Sequence, residues 1–167
     1  FPQVAKLCPE PGRNFVVITD PGSSLENAAR EQGFRQVFPG LPSVGGRYSA
    51  LSNFGLVPAV LLGVPLGQLL ERAEAMATRC GPGVPVAENP ALVLGAAWGE
   101  LGRAGRDKIT LLLSPALLPF SSWAEQLIAE STGKNGKGLI PVPEQTPARP
   151  EAYGEDRLFV SLRLEGD

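Results

Sequence analysis

The chain has 167 residues, which fits one domain better than two, and 43% of them are hydrophobic, enough for a core without disulfides or metals. Its 15 basic and 17 acidic residues give a formal net charge of −2, which argues against a nucleic-acid surface but leaves room for a small anionic ligand. No apolar run reaches the ~20 residues of a membrane span, so we expect a soluble protein.

The two cysteines and the lack of histidine limit the kinds of metal and catalytic site that we expect. Cys8 and Cys80 are far apart in a chain without histidine, so no metal site and no cofactor is predicted. Isolated thiols without a signal peptide are typical of a reducing, cytoplasmic setting. The lack of histidine also removes the commonest general acid or base near neutral pH. Because the chain begins at Phe1 rather than methionine, we expect further sequence upstream.

The first elements in chain order predict a strand, a helix and a second strand. Residues 15–19 are apolar and β-branched, as in a buried parallel strand. The Ser-x-x-Glu pattern from Ser23 to Glu26 is a capping box, which predicts a helix through Gln32 that Gly33 ends. Residues 36–38 give the next strand. This βαβ pattern predicts parallel pairing.

The rest of the chain continues the alternation. The helix predicted at 48–62 is so apolar that we expect it to be buried on most sides. The further predicted elements are helices at 65–80, 89–102 and 123–131, strands at 108–114, 138–142 and 158–162, and a proline-rich surface loop at 143–150. Together they predict an α/β fold with a doubly wound, mainly parallel sheet flanked by helices.

One segment with candidate binding residues has the sequence VGGRYSALS and begins at Val44. Gly45 and Gly46 allow a positive φ or a close approach of backbone to a ligand, ahead of a helix start whose amides attract anions. Arg47 adds a fork of donors at the same place. The same residues also fit a plain tight turn with Arg47 in a surface salt bridge, and spacing alone does not separate the two interpretations.

A second segment reads EQLIAESTGK from Glu125. Gln126 and Glu130 are four residues apart, so a helix places them on one face. Glu130 falls in the last helical turn, where the helix dipole disfavours negative charge, and this suits a carboxylate that accepts a proton. The alternative is that Gln126 and Glu130 only face solvent on an amphipathic helix, as we expect for Glu125. The lysines that follow, Lys134 and Lys137, lack a Walker pattern and predict a solvated loop.

Taken together, the two segments resemble the phosphoglucose isomerase (glucose-6-phosphate isomerase) family. VGGRYS resembles the signature around the family's active-site arginine, and QLIAESTGK from Gln126 is similar to its catalytic-glutamate segment. TDPGSSL from Thr19 and DRLFV from Asp156 are most similar to the isomerase half of bacterial bifunctional transaldolase/phosphoglucose isomerases. The resemblance covers roughly residues 13–165, with Pro42 as one departure from the signature.

The resemblance implies a sugar-isomerase (SIS-type) domain over residues 13–165, preceded by an N-terminal extension over residues 1–12. It implies that Glu130 is the base that moves a proton between C1 and C2 of the open-chain sugar phosphate. Arg47 would stabilise the cis-enediol(ate), and Gln126, Gly45 and Gly46 would lie at the substrate. The reaction would be the glycolytic and gluconeogenic interconversion of glucose 6-phosphate and fructose 6-phosphate.

Other parts of the family's active site are not found in this chain. The Ser/Thr-rich phosphate-binding loop, the ring-opening histidine and a C-terminal lysine have no counterpart here. The resemblance therefore implies a partial isomerase, with the missing segments supplied by the rest of the enzyme or by the partner in a homodimer. We expect little activity from these 167 residues alone. Two further hypotheses stay open: a non-catalytic sugar-phosphate-binding module, and a structural remnant of a bifunctional enzyme.

Overall fold

The computed structural model describes residues 1–144 and 148–166, which form two compact units, Phe1–Ala73 and Glu74–Asp167. All strand pairs of the two sheets are parallel: β1 with β2 in the first unit, and β3 with β4 and β5 in the second. The predicted α/β class with parallel strands flanked by helices is confirmed. The strands are divided between two sheets, which the element pattern did not reveal. The predicted domain limits at residues 13 and 165 stay a prediction.

The first unit is built on the βαβ pattern predicted from the sequence. Strands β1 (Val16–Thr19) and β2 (Gln36–Pro39) pair in register, and helix α2 (Ser24–Glu31) connects them and buries Ala29. The capping box is confirmed, because the Ser23 hydroxyl accepts from the Glu26 amide at 3.1 Å. The Glu26 carboxylate reaches back to the amide of Gly22 at 2.6 Å, one residue before the position expected.

The C-terminal end of α2 and the N-terminal residues of the chain also belong to the first unit. Gly33, at φ +63°, takes the left-handed conformation that ends a helix, as predicted. The short helix α1 (Pro2–Ala5) precedes a 3₁₀ turn at Pro11–Asn14. The Phe1 ring lies 5.5 Å from that of Phe15 and 5.7 Å from that of Phe34, so the first residue of the predicted N-terminal extension packs against this unit.

The apolar helix predicted at 48–62 is two elements. A 3₁₀ helix spans Gly46–Leu51, and helix α3 spans Asn53–Leu61. Ser52 separates them because its hydroxyl donates to the Ser49 carbonyl at 2.7 Å and accepts from the Phe54 amide at 3.2 Å, so its side chain caps α3. The predicted burial is wrong: no residue of α3 is buried, and Leu61 and Leu62 are 74% and 82% exposed.

Three more helices follow, α4 (Leu66–Arg79), α5 (Pro90–Arg103) and α6 (Phe120–Thr132). The boundary between the compact units falls within α4. Asn89 begins α5 as predicted: its side-chain oxygen accepts from the backbone amides of Ala91 and Leu92 at 3.1 Å. Its side-chain Nδ2 donates to the Gly81 carbonyl at 3.3 Å. Helix α6 begins three residues earlier than predicted. No helix among the described residues is long and apolar enough to cross a membrane.

The second unit has a three-stranded sheet with β3 (Lys108–Leu113) between β4 (Ile140–Glu144) and β5 (Arg157–Leu162). Ile109 and Leu111 of β3 form the core with Ala124 and Ile128 of α6, and Trp98 of α5 packs against them. Strand β4 extends to Glu144, into the loop predicted at 143–150. Residues 145–147 of that loop lie outside the described residues, and a 3₁₀ turn follows at Pro150–Ala152.

Candidate active site

Helix α6 carries Glu130, the residue predicted from the sequence to be the catalytic base. Ala124 and Ile128, four residues apart, face the core of the second unit. Gln126 and Glu130 are offset from them by two residues, about 200° around the helix, so they point away from the sheet and are exposed. The Gln126 side-chain amide donates to the Glu130 carboxylate at 3.4 Å. The predicted shared face is confirmed, and the amide is placed to orient the carboxylate.

The chain after α6 is a tight hairpin rather than the predicted loop. Lys134 and Lys137 exchange two backbone hydrogen bonds of 2.9 Å across the turn residues Asn135 and Gly136. Both turn residues have positive φ, 51° and 72°, as a two-residue hairpin with strand-like twist requires. The Lys134 ammonium donates to the backbone carbonyl of Glu130 at 3.1 Å. The hairpin is exposed, as predicted, but it is fixed to the turn that carries Glu130.

The arginine segment lies in the first unit. Gly45 caps the 3₁₀ helix with φ −65°, and Gly46 also lacks a positive φ, so the interpretation that these glycines provide left-handed backbone is wrong. No atom would meet a Cβ at either glycine within 4 Å, so the backbone here is open to a close neighbour. Arg47 is half-buried, and its guanidinium lies 5.1 Å from the centre of the Tyr48 ring.

The predicted site residues therefore form two local groups. Gln126 and Glu130 are in direct contact, and Gly45, Gly46 and Arg47 are consecutive in one turn. Each group belongs to its own compact unit. Within residues 1–144 and 148–166, no three histidine, cysteine, aspartate or glutamate side chains come together to hold a metal ion.

One cavity of the second unit is lined by residues other than Gln126 and Glu130. It measures about 970 Å³ and lies among the ends of α5 and α6, the hairpin and the first residues of β4. Its lining includes Trp98, Arg103, Thr132, Lys137 and Leu139.

The groups with perturbed pKa values are structural. The Arg30 guanidinium and the Gly22 amide hold the pKa of Glu26 below its usual range. Hydrogen bonds from Lys108 lower the pKa of Asp156, and those to Asp156 and Asp107 raise the pKa of Lys108. The first pairing lies at the start of α2 and the second at the start of β3, so both stabilise the ends of elements.

Comparison with known proteins decides the relationship of the chain. No protein-family model matches the sequence. Over 126 residues the chain is 45% identical to the glucose-6-phosphate isomerase of Synechococcus sp. (strain JA-3-3Ab), a match that covers 72% of this chain and 23% of that protein. This chain is homologous to part of glucose-6-phosphate isomerase. The predicted resemblance to this family is confirmed, and so is its partial extent.

Two further comparisons agree with that relationship. The chain is 38% identical over 140 residues to chloroplastic glucose-6-phosphate isomerase 1 of Arabidopsis thaliana, which covers 79% of this chain and 22% of that protein. The chain thus spans less than a quarter of the length of these glucose-6-phosphate isomerases. The crystal structure of a hypothetical protein from Thermus thermophilus superposes with a TM-score of 0.81 and 29% identity, covering 94% of this chain and 40% of that one.

Proposed function

We propose that this chain is the part of a glucose-6-phosphate isomerase that supplies the catalytic base, Glu130. The observation that carries the proposal is the pairing of Gln126 with the exposed Glu130 carboxylate, in a chain that is 45% identical to a glucose-6-phosphate isomerase. A carboxylate on an exposed residue that accepts a hydrogen bond from a side-chain amide is placed to accept a proton from a bound substrate.

In the proposed mechanism, Glu130 removes the proton from C2 of open-chain glucose 6-phosphate and returns it to C1. The electron pair of the broken C2–H bond forms a C1–C2 double bond and the carbonyl pair moves onto O1, so the intermediate is a cis-enediol(ate). A proton moves from O2 to O1, and C2 becomes the carbonyl when C1 takes the returned proton. A proton next to a carbonyl is too weakly acidic for a carboxylate to remove unless a fixed cation stabilises the developing oxyanion. Arg47 is the proposed cation, because its guanidinium offers a planar fork of donors and lies over the Tyr48 ring. Gln126 orients Glu130 or the sugar.

The remaining groups of the reaction are proposed to come from other segments of the enzyme or from a partner subunit. This chain has no histidine to open the sugar ring and no matched phosphate-binding loop. Exposed apolar side chains on two helices support the presence of covering segments: Phe54 and Val60 on α3, and Leu92 and Val93 on α5, are 41–54% exposed. Attachment to a transaldolase domain is a further proposal, because TDPGSSL and DRLFV resemble the isomerase half of bifunctional transaldolase/phosphoglucose isomerases.

Glu130→Gln in the complete enzyme tests the proposed base. The substitution keeps the shape of the side chain and removes its ability to take a proton. We expect kcat for conversion of fructose 6-phosphate to glucose 6-phosphate, measured by a coupled assay, to fall by about 10²–10⁴-fold. Glu125→Gln is the matched control, because Glu125 is exposed on the same helix, and its turnover should match the wild type. Near wild-type turnover of the Glu130 variant would overturn the assignment.

A further inference from the structure

The last turn of α6 is closed by side chains as well as by the backbone. The final carbonyls of a helix have no hydrogen-bond donors within the helix, so other groups must supply them. Here the Ala129 carbonyl accepts from the Gly133 amide at 2.8 Å, and the Glu130 carbonyl accepts from the Lys134 ammonium at 3.1 Å. The Thr132 hydroxyl donates to the Ile128 carbonyl at 2.7 Å. Three consecutive carbonyls around Glu130 are therefore fixed.

Thr132 also ties this turn to the sheet. Its hydroxyl accepts a hydrogen bond from the Leu139 amide at 2.9 Å, one residue before β4 begins. One oxygen thus links the end of α6 to the strand that pairs with β3, and Ile128 packs into the core beside that strand. The turn that carries Glu130 cannot rotate or fray without breaking this link.

Lys134 acts from the other side of the turn. It stands at the base of the Lys134–Lys137 hairpin, whose two backbone hydrogen bonds and left-handed turn residues fix its direction. Its ammonium lies at the C-terminal end of α6, where a positive charge interacts favourably with the helix dipole. Among the described residues, Lys137 contributes only backbone atoms to the hydrogen bonds of the hairpin, so the two lysines differ in their link to α6.

We propose that Thr132 and Lys134 are positioning residues, which hold the last turn of α6 and thereby fix where the Glu130 carboxylate points. Neither residue is assigned any contact with substrate. This inference rests on the proposed function, because it concerns the geometry of the proposed base. Proton transfer needs the carboxylate within hydrogen-bond reach of the substrate carbon-bound proton, and a small displacement of a catalytic group lowers the rate steeply.

Four variants of the complete enzyme test the proposal. Thr132→Val removes the hydroxyl with little change of shape, and Thr132→Ser restores it. Lys134→Met removes the ammonium that donates to the backbone carbonyl of Glu130. Lys137→Met is its control, because it removes a charge of the same sign from the same hairpin. We expect kcat to fall by about tenfold in Thr132→Val and Lys134→Met, with KM within about twofold of the wild type. Thr132→Ser and Lys137→Met should keep kcat within about twofold of the wild type.

The outcomes separate this inference from the proposed function. Wild-type kcat in both Thr132→Val and Lys134→Met, beside an inactive Glu130→Gln, would overturn the positioning role and leave the base in place. A raised KM at unchanged kcat would also overturn it, because it would show uniform substrate binding rather than placement of the base. A complete wild-type enzyme without isomerase activity would overturn the proposed function, and this inference with it. If Thr132→Val does not fold, the exposed Lys134→Met decides alone.

Discussion

At the scale of single residues, Lys108 holds two carboxylates at the start of the central strand. Its ammonium lies 2.7 Å from Asp156 and 3.1 Å from Asp107. The hydrogen bond from Lys108 lowers the pKa of Asp156, so the folded chain binds a proton there less readily than the unfolded chain does. A lowered carboxyl pKa stabilises the fold above the ordinary aspartate value of 3.8, and this contribution is lost as pH falls through the lowered pKa.

Asp156→Asn tests this contribution. We expect a lower urea midpoint than the wild type at pH 7, because the variant loses the ionised partner of Lys108. The difference should shrink as pH falls below 3.8 and vanish once Asp156 of the wild type is protonated. Glu155→Gln, at an exposed neighbouring position, is the control and should leave the midpoint unchanged. A difference that persists unchanged in strong acid would show that Asp156 acts by another route.

Contacts between single side chains can be predicted from the sequence when their spacing along one helix brings them together. The four-residue spacing of Gln126 and Glu130 predicts their shared face, because helix geometry alone brings them together. Thr132 and Lys134 are missed, since their bonds require the hairpin and the approach of Leu139, which are set by β4 pairing with β3. The Asn-Gly pair between the two lysines is the one local signal for the hairpin that could have been used.

At the scale of elements, the start of α2 depends on one side chain. Ser23 accepts from the Glu26 amide at 3.1 Å and shares a hydrogen bond of 2.8 Å with Thr19 at the end of β1. Ser23→Ala should lower the free energy of opening α2 by about 1 kcal/mol. Hydrogen exchange at the α2 amides should then quicken by about fivefold.

Ser24→Ala is the matched control for the cap. Ser24 is the first residue of α2 and is exposed, so its replacement should change the free energy of opening by less than about 0.5 kcal/mol. Equal exchange rates in the Ser23 and Ser24 variants would mean that the cap contributes nothing to the helix.

Elements with local end signals are predicted best. Helices α2 and α5 begin at their predicted caps, Ser23 and Asn89, because an N-cap is a contact between near neighbours. The helix predicted at 48–62 fails at Ser52, where a side chain competes with the backbone for the same hydrogen bonds. The prediction that α3 is buried is wrong for a different reason. Apolar composition favours packing of a helix against other residues, but it does not identify which residues those are.

At the scale of the whole molecule, alternation of strands and helices predicts the α/β class but not the number of sheets. Strand pairing joins residues far apart in sequence, such as Lys108 with Arg157, and the element order contains no signal for it. The match covers 22–23% of the two glucose-6-phosphate isomerases named above, and apolar side chains on α3 and α5 are exposed. The intact mass of the natural gene product would show whether further segments are attached.

Solvent exchange tests the central claim, proton transfer by Glu130, most directly. The complete enzyme is incubated with glucose 6-phosphate in D₂O, and deuterium at C2 of the sugar is measured. We predict incorporation by the wild type and by Glu125→Gln, and a rate at least about 10²-fold lower in Glu130→Gln. Binding of the sugar phosphate without any deuterium incorporation by the wild type would contradict the account and identify a non-catalytic binding module. Wild-type incorporation by Glu130→Gln would contradict it equally.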